Sequence, residues 1–388
     1  MIKRTFFLCL LSLALFGGAV AAQELAAEET VRVETRVVFI DTLVQDKRTR
    51  TPIIDLTRES FEVLDNGRPR SLTYFSHGGS ARKRPLALVL SLDLWTSAIL
   101  YLERPEIVES IISALQQLPP EDEISVVQTW LEPTTPAYPS QLAFRLESKT
   151  IEGFTHDRAK IYAALRSVQR FARENLPHVK MLFSFKDLFK AGARAGLGNI
   201  DPNSPDPPLI ITPAPGFEDI IERAPIVVAR ERANSQVVIA DFTDDLESNY
   251  LNRSAEMARK LIGAGVVVNG LVVERNLFGK TISALGELLS PALGQRFHTT
   301  SYYSKQTGGE TVTISSPGEF NAAVKRIIGN LAARYSLGFT IGADEKDDGR
   351  MRRLEVRVKA RDARGKNRKI IVSARRGYYL SEQMRTAP

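Results

Sequence analysis

The sequence predicts an α/β protein in which a mainly parallel sheet, covered by helices on both faces, is inserted into a small β domain made from the two ends of the chain. Three observations carry that expectation. Continuous aliphatic runs recur at 86–93 (LALVLSLD), 124–130 (ISVVQTW), 236–241 (QVVIAD) and 265–274 (GVVVNGLVVE), as strands buried on both faces require. Amphipathic helical segments separate these runs. Outside this region, residues 31–46, 353–361 and 370–374 return to the alternation of half-buried strands. A chain of 388 residues, 43% hydrophobic and 25% charged, carries enough apolar material for more than one packed unit.

Residues 1–22 have the three-part pattern of a secretory signal peptide. Lys3 and Arg4 precede an apolar run, Thr5 to Val20, whose 16 residues fall short of the roughly 20 that span a bilayer, and small residues follow. Cleavage is expected after Ala21 or Ala22, leaving a secreted or periplasmic protein with no transmembrane segment. Cys9 is the only cysteine, so the mature chain is expected to have no thiol or disulfide chemistry.

An N-terminal β segment spans 30–78. Its hairpin signal is Asn66-Gly67, the pair that best satisfies positive φ in a tight turn, flanked by Phe61 and Val63 on one side and Leu72 and Tyr74 on the other. The α/β domain covers 84–335. Ile107, Val108, Ile111, Ile112 and Leu115 form one helix face, ended by Pro119-Pro120, and QLAFRLES reads as an antiparallel edge strand. Ile161, Leu165, Val168 and Phe171 mark a second helix, and RSAEMARKLIGAG a third, stopped by Gly263. The Pro-rich insertion, 199–226, reads as disorder or surface wrapping. The last helix opens at SPGEF, where Ser316 as cap, Pro317 in the first turn and Glu319 make a capping box. A C-terminal β segment, 336–382, is expected to pack with the N-terminal one.

The net charge of the full chain is +7, and its excess is local: residues 346–388 hold 14 Lys and Arg against 5 Asp and Glu. Arg353, Glu355, Arg357, Lys359 and Arg361 share one side of a strand, most simply a solvated sheet face; the alternative is that its basic members, Arg353, Arg357, Lys359 and Arg361, meet an anionic envelope glycan. Export argues against nucleic acid as a partner. His77, His156, His178 and His298 lack metal-ligand spacing. Ser80 to Lys83 fits a Ser-x-x-Lys pattern without its companion motifs, and GARAGLG follows no expected strand.

Open parallel sheets put functional residues at the carboxyl ends of their strands. Asp93 and Asp241 are so placed, and two carboxylates with nearby hydroxyls are hard oxygen ligands for Mg²⁺ or Ca²⁺. Here the sequence resembles the von Willebrand factor type A fold, whose metal-ion-dependent adhesion site carries Asp-x-Ser-x-Ser after the first strand, a threonine in a later loop and an aspartate after the fourth strand. VVIADFTDD resembles the last of these, with Asp241 in the ligand position. DLWTS matches at Asp93 and Ser97, while Trp95 replaces the first serine. Ser184 in SFKDLFKAG is the nearest hydroxyl to the threonine position, Thr155 belonging to a preceding helix start. VFIDTLVQDKRTRTPIIDLTRESFEVLDNGRPRSLTYF at the start, TGGETVTISSPGEFNAAVKRIIGNLAARYSLGF later and DGRMRRLEVRVKARDARGKNRKIIVSARRGYY at the end resemble bacterial VWFA-related proteins of the acidobacterial type, a similarity that covers approximately residues 31–380.

The resemblance implies a binding protein and no reaction. Expected site residues are Asp93, Trp95, Ser97, Ser184 and Asp241 at the rim. Asp93, Ser97 and Asp241 are the candidate ligands of Mg²⁺, Mn²⁺ or Ca²⁺ at a degenerate site, and no other cofactor is assigned. A protein ligand is the first expectation, with glycan binding through the basic face or an envelope-scaffold role as alternatives. A magnesium-dependent phosphotransferase would use Asp93 as nucleophile, but Trp95 stands where its second aspartate belongs.

Overall fold

The computed structural model describes residues 36–77, 84–94, 98–134, 142–183, 209–213, 232, 235–245, 254–274, 299–342, 344–362 and 364–380. The expected signal peptide lies outside them. In chain order the first strands are β1 (Arg36–Asp46), β2 (Phe61–Asp65), β3 (Arg68–Arg70) and β4 (Tyr74–Ser76). Next come β5 (Leu86–Asp93), β6 (Glu123–Thr134), β7 (Leu142–Thr155), β8 (Leu209–Pro213), β9 (Gln236–Thr243), β10 (Val267–Val273) and β11 (Thr311–Ile314). The last are β12 (Tyr335–Ile341), β13 (Arg352–Val358), β14 (Ile370–Ser373) and β15 (Gly377–Tyr378). The helices are α1 (Ile99–Leu102), α2 (Pro105–Leu115), α3 (Arg158–Phe183), α4 (Ser254–Gly263), α5 (Thr299–Thr307) and α6 (Pro317–Ala332).

Seven strands form the central sheet in the order β11-β10-β9-β5-β6-β7-β8. From β11 to β6 every pair is parallel, whereas β7 runs antiparallel to β6. All four aliphatic runs are strands of this sheet. Leu86, Leu88, Leu90 and Leu92 of β5 face one side, where they pack with Ile107 and Ile111 of α2, Ile161 and Leu165 of α3, and Phe320 and Ile327 of α6. Ala87 and Val89 face the other, with Met257 and Leu261 of α4. The runs are continuous because both sides of the strand are covered.

Three local expectations are corrected. β7 is antiparallel but not an edge, because β8, from within the Pro-rich insertion, pairs with it in parallel. Proline is compatible with an outermost strand, where its missing N–H faces away from the ladder. At α6, Ser316 is the cap residue but its hydroxyl makes no capping bond; Glu319 Oε2 accepts the N–H of Ser315 instead, at 2.9 Å. Gly263 is the last helical residue of α4, and the left-handed residue after it is Gly265.

The chain ends build two four-stranded sheets, β14-β1-β12-β4 and β15-β13-β2-β3. The expected Asn66-Gly67 hairpin joins β2 to β3, with Asn66 at φ 49°. The two sheets share one core of Val38, Ile40, Val63, Leu337, Phe339 and Tyr378. Tyr335 is fully buried there, and its hydroxyl donates to the carbonyl of Ile53 at 2.9 Å and accepts the N–H of Leu56 at 3.0 Å. The Tyr335→Phe variant strands both backbone groups and is expected to lose about 2 kcal/mol in urea unfolding, without a change in the slope of the transition. An unchanged midpoint would show that water replaces the hydroxyl.

A polar seam joins the sandwich to the central sheet. Arg334 is 3% exposed and donates to the carbonyl of Gly308 at 2.9 Å. Asp41, also buried, accepts the hydroxyl of Ser336 at 2.6 Å. Burial lowers the Arg375 guanidinium to about 10. Gly308 follows α5 with φ at +81°, and a Cβ there would lie 2.4 Å from the backbone of Ala374 and Arg375.

Candidate functional site

The central sheet reverses its winding between β5 and β9: the chain leaves β5 for β6 on one side, and leaves β9 for β10 on the other. A crevice outside the carboxyl ends of strands is expected at such a switch point. Asp93 closes β5 there, and Asp241 sits on β9, in register with Ser91. Both side chains project to the α4–α5 side, because they continue the Ala87-Val89 and Val237-Ile239 alternation. Both residues are half-buried.

Each carboxylate is held by a hydroxyl. Asp93 Oδ1 accepts from Thr129 Oγ1 at 2.6 Å, the residue opposite it on β6, and Thr243 on β9 gives it a second hydrogen bond. Asp241 Oδ2 accepts from Thr300 Oγ1 at 2.8 Å, in the first turn of α5. Gly270 of β10 lies beside Asp241 and makes that approach possible, for a Cβ on it would come 2.7 Å from Thr300 Cγ2. Asp245, in the left-handed region at φ 54°, accepts the N–H of Thr300 at 3.0 Å and the hydroxyl of Ser301 at 3.2 Å. It thereby anchors the amino end of α5 over the rim.

The electrostatics follow from this crowding. Desolvation and the neighbouring Asp241 push the Asp93 carboxyl well above its ordinary range, against the pull of the threonine hydroxyls. Desolvation and Asp245 raise Asp241 to about 6, with Thr300 and Ser91 opposing. The rim therefore concentrates negative charge that its hydroxyl donors only partly offset. Two carboxylates with threonine and serine oxygens are a donor set that fits a hard divalent cation. Among the described residues, no group of three or more His, Cys, Asp or Glu is arranged around a metal position, so such an ion would draw on hydroxyls and water.

The structure thus brings Asp93 and Asp241 to one rim. Trp95, Ser97 and Ser184 lie outside the described residues. Thr155 is at the other end of the sheet, opposite Ile124 at the start of β6, and it only accepts the N–H of Asp157. The hydroxyls that do reach the carboxylates are those of Thr129 and Thr243 at Asp93 and of Thr300 and Ser91 at Asp241. Thr129 and Thr243 were visible at strand ends; Thr300 lies 59 residues from Asp241, and nothing local in the sequence connects them.

The expected basic face is mixed. Arg353, Arg357, Lys359 and Arg361 are exposed, but Arg357 pairs with Glu355 at 2.8 Å and sits opposite Glu62 on β2.

No family model matches the chain, and no curated protein matches it. Solved structures do. Von Willebrand factor type A domains are among those it resembles. The human COPII-coat protein Sec24c aligns at 10% identity and TM-score 0.36 over 89% of this chain and 56% of its own, little more than half its length. The SpRpn10 VWA domain aligns at 11% identity and TM-score 0.32, over 62% of this chain and 94% of its own. The von Willebrand factor type A protein from Catenulispora acidiphila gives 9% identity and TM-score 0.33, over 86% and 78%. The architecture itself, a mainly parallel sheet with helices on both faces, stands on the strand order and connections described above.

Proposed function

We propose that this chain is an exported, noncatalytic binding protein that takes a protein ligand at the carboxyl rim of the central sheet. The observation that carries this reading is the pair Asp93 and Asp241, two crowded carboxylates on adjacent strands at the switch point. Such a pair is at its lowest energy with a cation between it and a ligand, and Mg²⁺ or Mn²⁺ would be held by Asp93, Asp241 and the Ser97 hydroxyl. A carboxylate donated by the ligand protein is the natural completion of that shell, and Trp95, two residues after Asp93 in the sequence, is suited to an apolar contact. Asp93 is poorly suited to act as a nucleophile, because its ionised form is disfavoured and its oxygen is occupied by Thr129.

Calorimetric titration of the purified protein with Mg²⁺, Mn²⁺ and Ca²⁺ tests the reading. One-to-one binding is expected with at least one of these ions, lost in Asp241→Ala. No heat with any ion would remove the metal from the proposal. Retained binding in the variant would place the ion elsewhere.

A further inference from the structure

The structure joins two loops that are remote in sequence into one cationic end of the sandwich. The turn after β1, 47–50, and the loop between β13 and β14, 359–369, are tied by the N–H of Lys47 donating to the carbonyl of Lys369 at 2.9 Å. The ladder of β1 with β14 ends there, at Asp46 and Ile370. Residues 46–50 and 359–369 together hold nine Lys and Arg against two acids, Asp46 and Asp362.

Neither acid makes a side-chain ion pair among the described residues. Asp46 Oδ1 accepts the N–H groups of Arg48 and Thr49 at 2.8 and 2.9 Å. Asp362 Oδ1 accepts those of Arg364 and Lys366, both at 2.9 Å. The carboxylates shape the loops and leave the cations outward. Arg368 is bound bidentately by Asp55. Lys47, Arg48, Arg50, Arg364, Lys366 and Lys369 are exposed and make no ion pair among the described residues.

Ile54, immediately before Asp55, is 61% exposed, one of two large apolar side chains so exposed among the described residues. It adjoins the cationic end, since Pro52 bridges to Gln45 and Thr51 to Asp46. Neither loop contains an aromatic residue on which a sugar ring could stack. Loop tips with unpaired cations beside one exposed aliphatic side chain fit a planar anionic surface better than a polysaccharide.

We infer that this end of the sandwich, the turn at 47–50 and the loop at 359–369 with Ile54 beside them, docks the protein on an anionic lipid bilayer. The site shares no residue with the Asp93–Asp241 rim. Each cation near such a surface strengthens partitioning by about fivefold.

The test is co-sedimentation of the processed protein, without its leader, on vesicles of phosphatidylcholine with and without phosphatidylglycerol. Binding is expected only with the anionic lipid, and should fall steeply as salt is raised. The quadruple variant Lys47→Gln, Arg48→Gln, Arg364→Gln, Lys366→Gln should lose at least about a hundredfold in affinity, with an unchanged thermal melt. Ile54→Ser should lose about fivefold at constant charge. Asp241→Asn should bind vesicles as the parent does, so a failure at the rim and a failure here are distinguishable. Equal binding of parent and quadruple variant would overturn the inference. So would capture of the protein by polygalacturonate beads with no vesicle binding, which would assign the surface to a glycan.

Discussion

In EDTA the protein is expected to be more stable at pH 5 than at pH 7.5, by about 2 kcal/mol. Asp241 gives up its proton near 3.8 in the unfolded chain and at about 6 in the folded one, and Asp93 is displaced in the same direction. Between those values the native state holds more protons than the unfolded state, so stability falls as pH rises through the folded value. Each tenfold gain in proton affinity on folding corresponds to about 1.4 kcal/mol, and the partial exposure of the rim argues for less than the full figure. The opposite trend sets in lower down, where Glu345, held at about 2 by Arg70 and Arg352 against its desolvation, loses its stabilising charge as pH falls from about 4.5. Denaturant midpoints across pH 3–8 should therefore peak between about pH 4 and pH 5. Asp241→Asn should abolish the decline above the peak and raise stability at pH 7.5. Saturating Mg²⁺ should do the same for the parent if the cation sits between the carboxylates. A flat profile in the parent would show that the two groups do not crowd one another in solution.

Gly308→Ala is expected to cost at least about 3 kcal/mol. A side chain at φ +81° is strained on its own account by about 1 kcal/mol. Its Cβ would also stand 2.4 Å from the backbone of Ala374 and Arg375, which has no flexible end that could yield. The clash would pry the seam apart where Arg334 uses the Gly308 carbonyl. A single cooperative transition, shifted to lower urea, is expected by circular dichroism and by the fluorescence of Trp130, on β6 of the central sheet, which packs on Phe171 of α3. Two separated transitions would mean that the sandwich and the sheet unfold independently, and a shift below about 1 kcal/mol would mean that the seam relaxes.

What the sequence made legible was local. The runs ending in Asp93 and in Asp241 fixed the strands, their burial and the rim, because period and hydrophobicity are properties of neighbouring residues. The long-range partners were hidden. Thr300 reaches Asp241 only because Gly270 leaves space across a parallel pair of strands. The 47–50 turn meets the 359–369 loop only through a strand pairing between the chain's two ends. The Pro-rich segment lacks the usual alternation, so β8 was not evident until β7 supplied its ladder. The charges of β13 were legible, but Glu62, which lies across from Arg357, comes from another strand.

The sandwich also sets an order of events during synthesis. β1 emerges first, yet it pairs with β12, Arg36 opposite Ile341. Its ladder must wait until the whole intervening α/β segment has been made. Until then a long, β-branched strand stands with bare N–H and carbonyl rows, so this chain should depend on a holding chaperone, or on rapid completion, more than its finished architecture reveals.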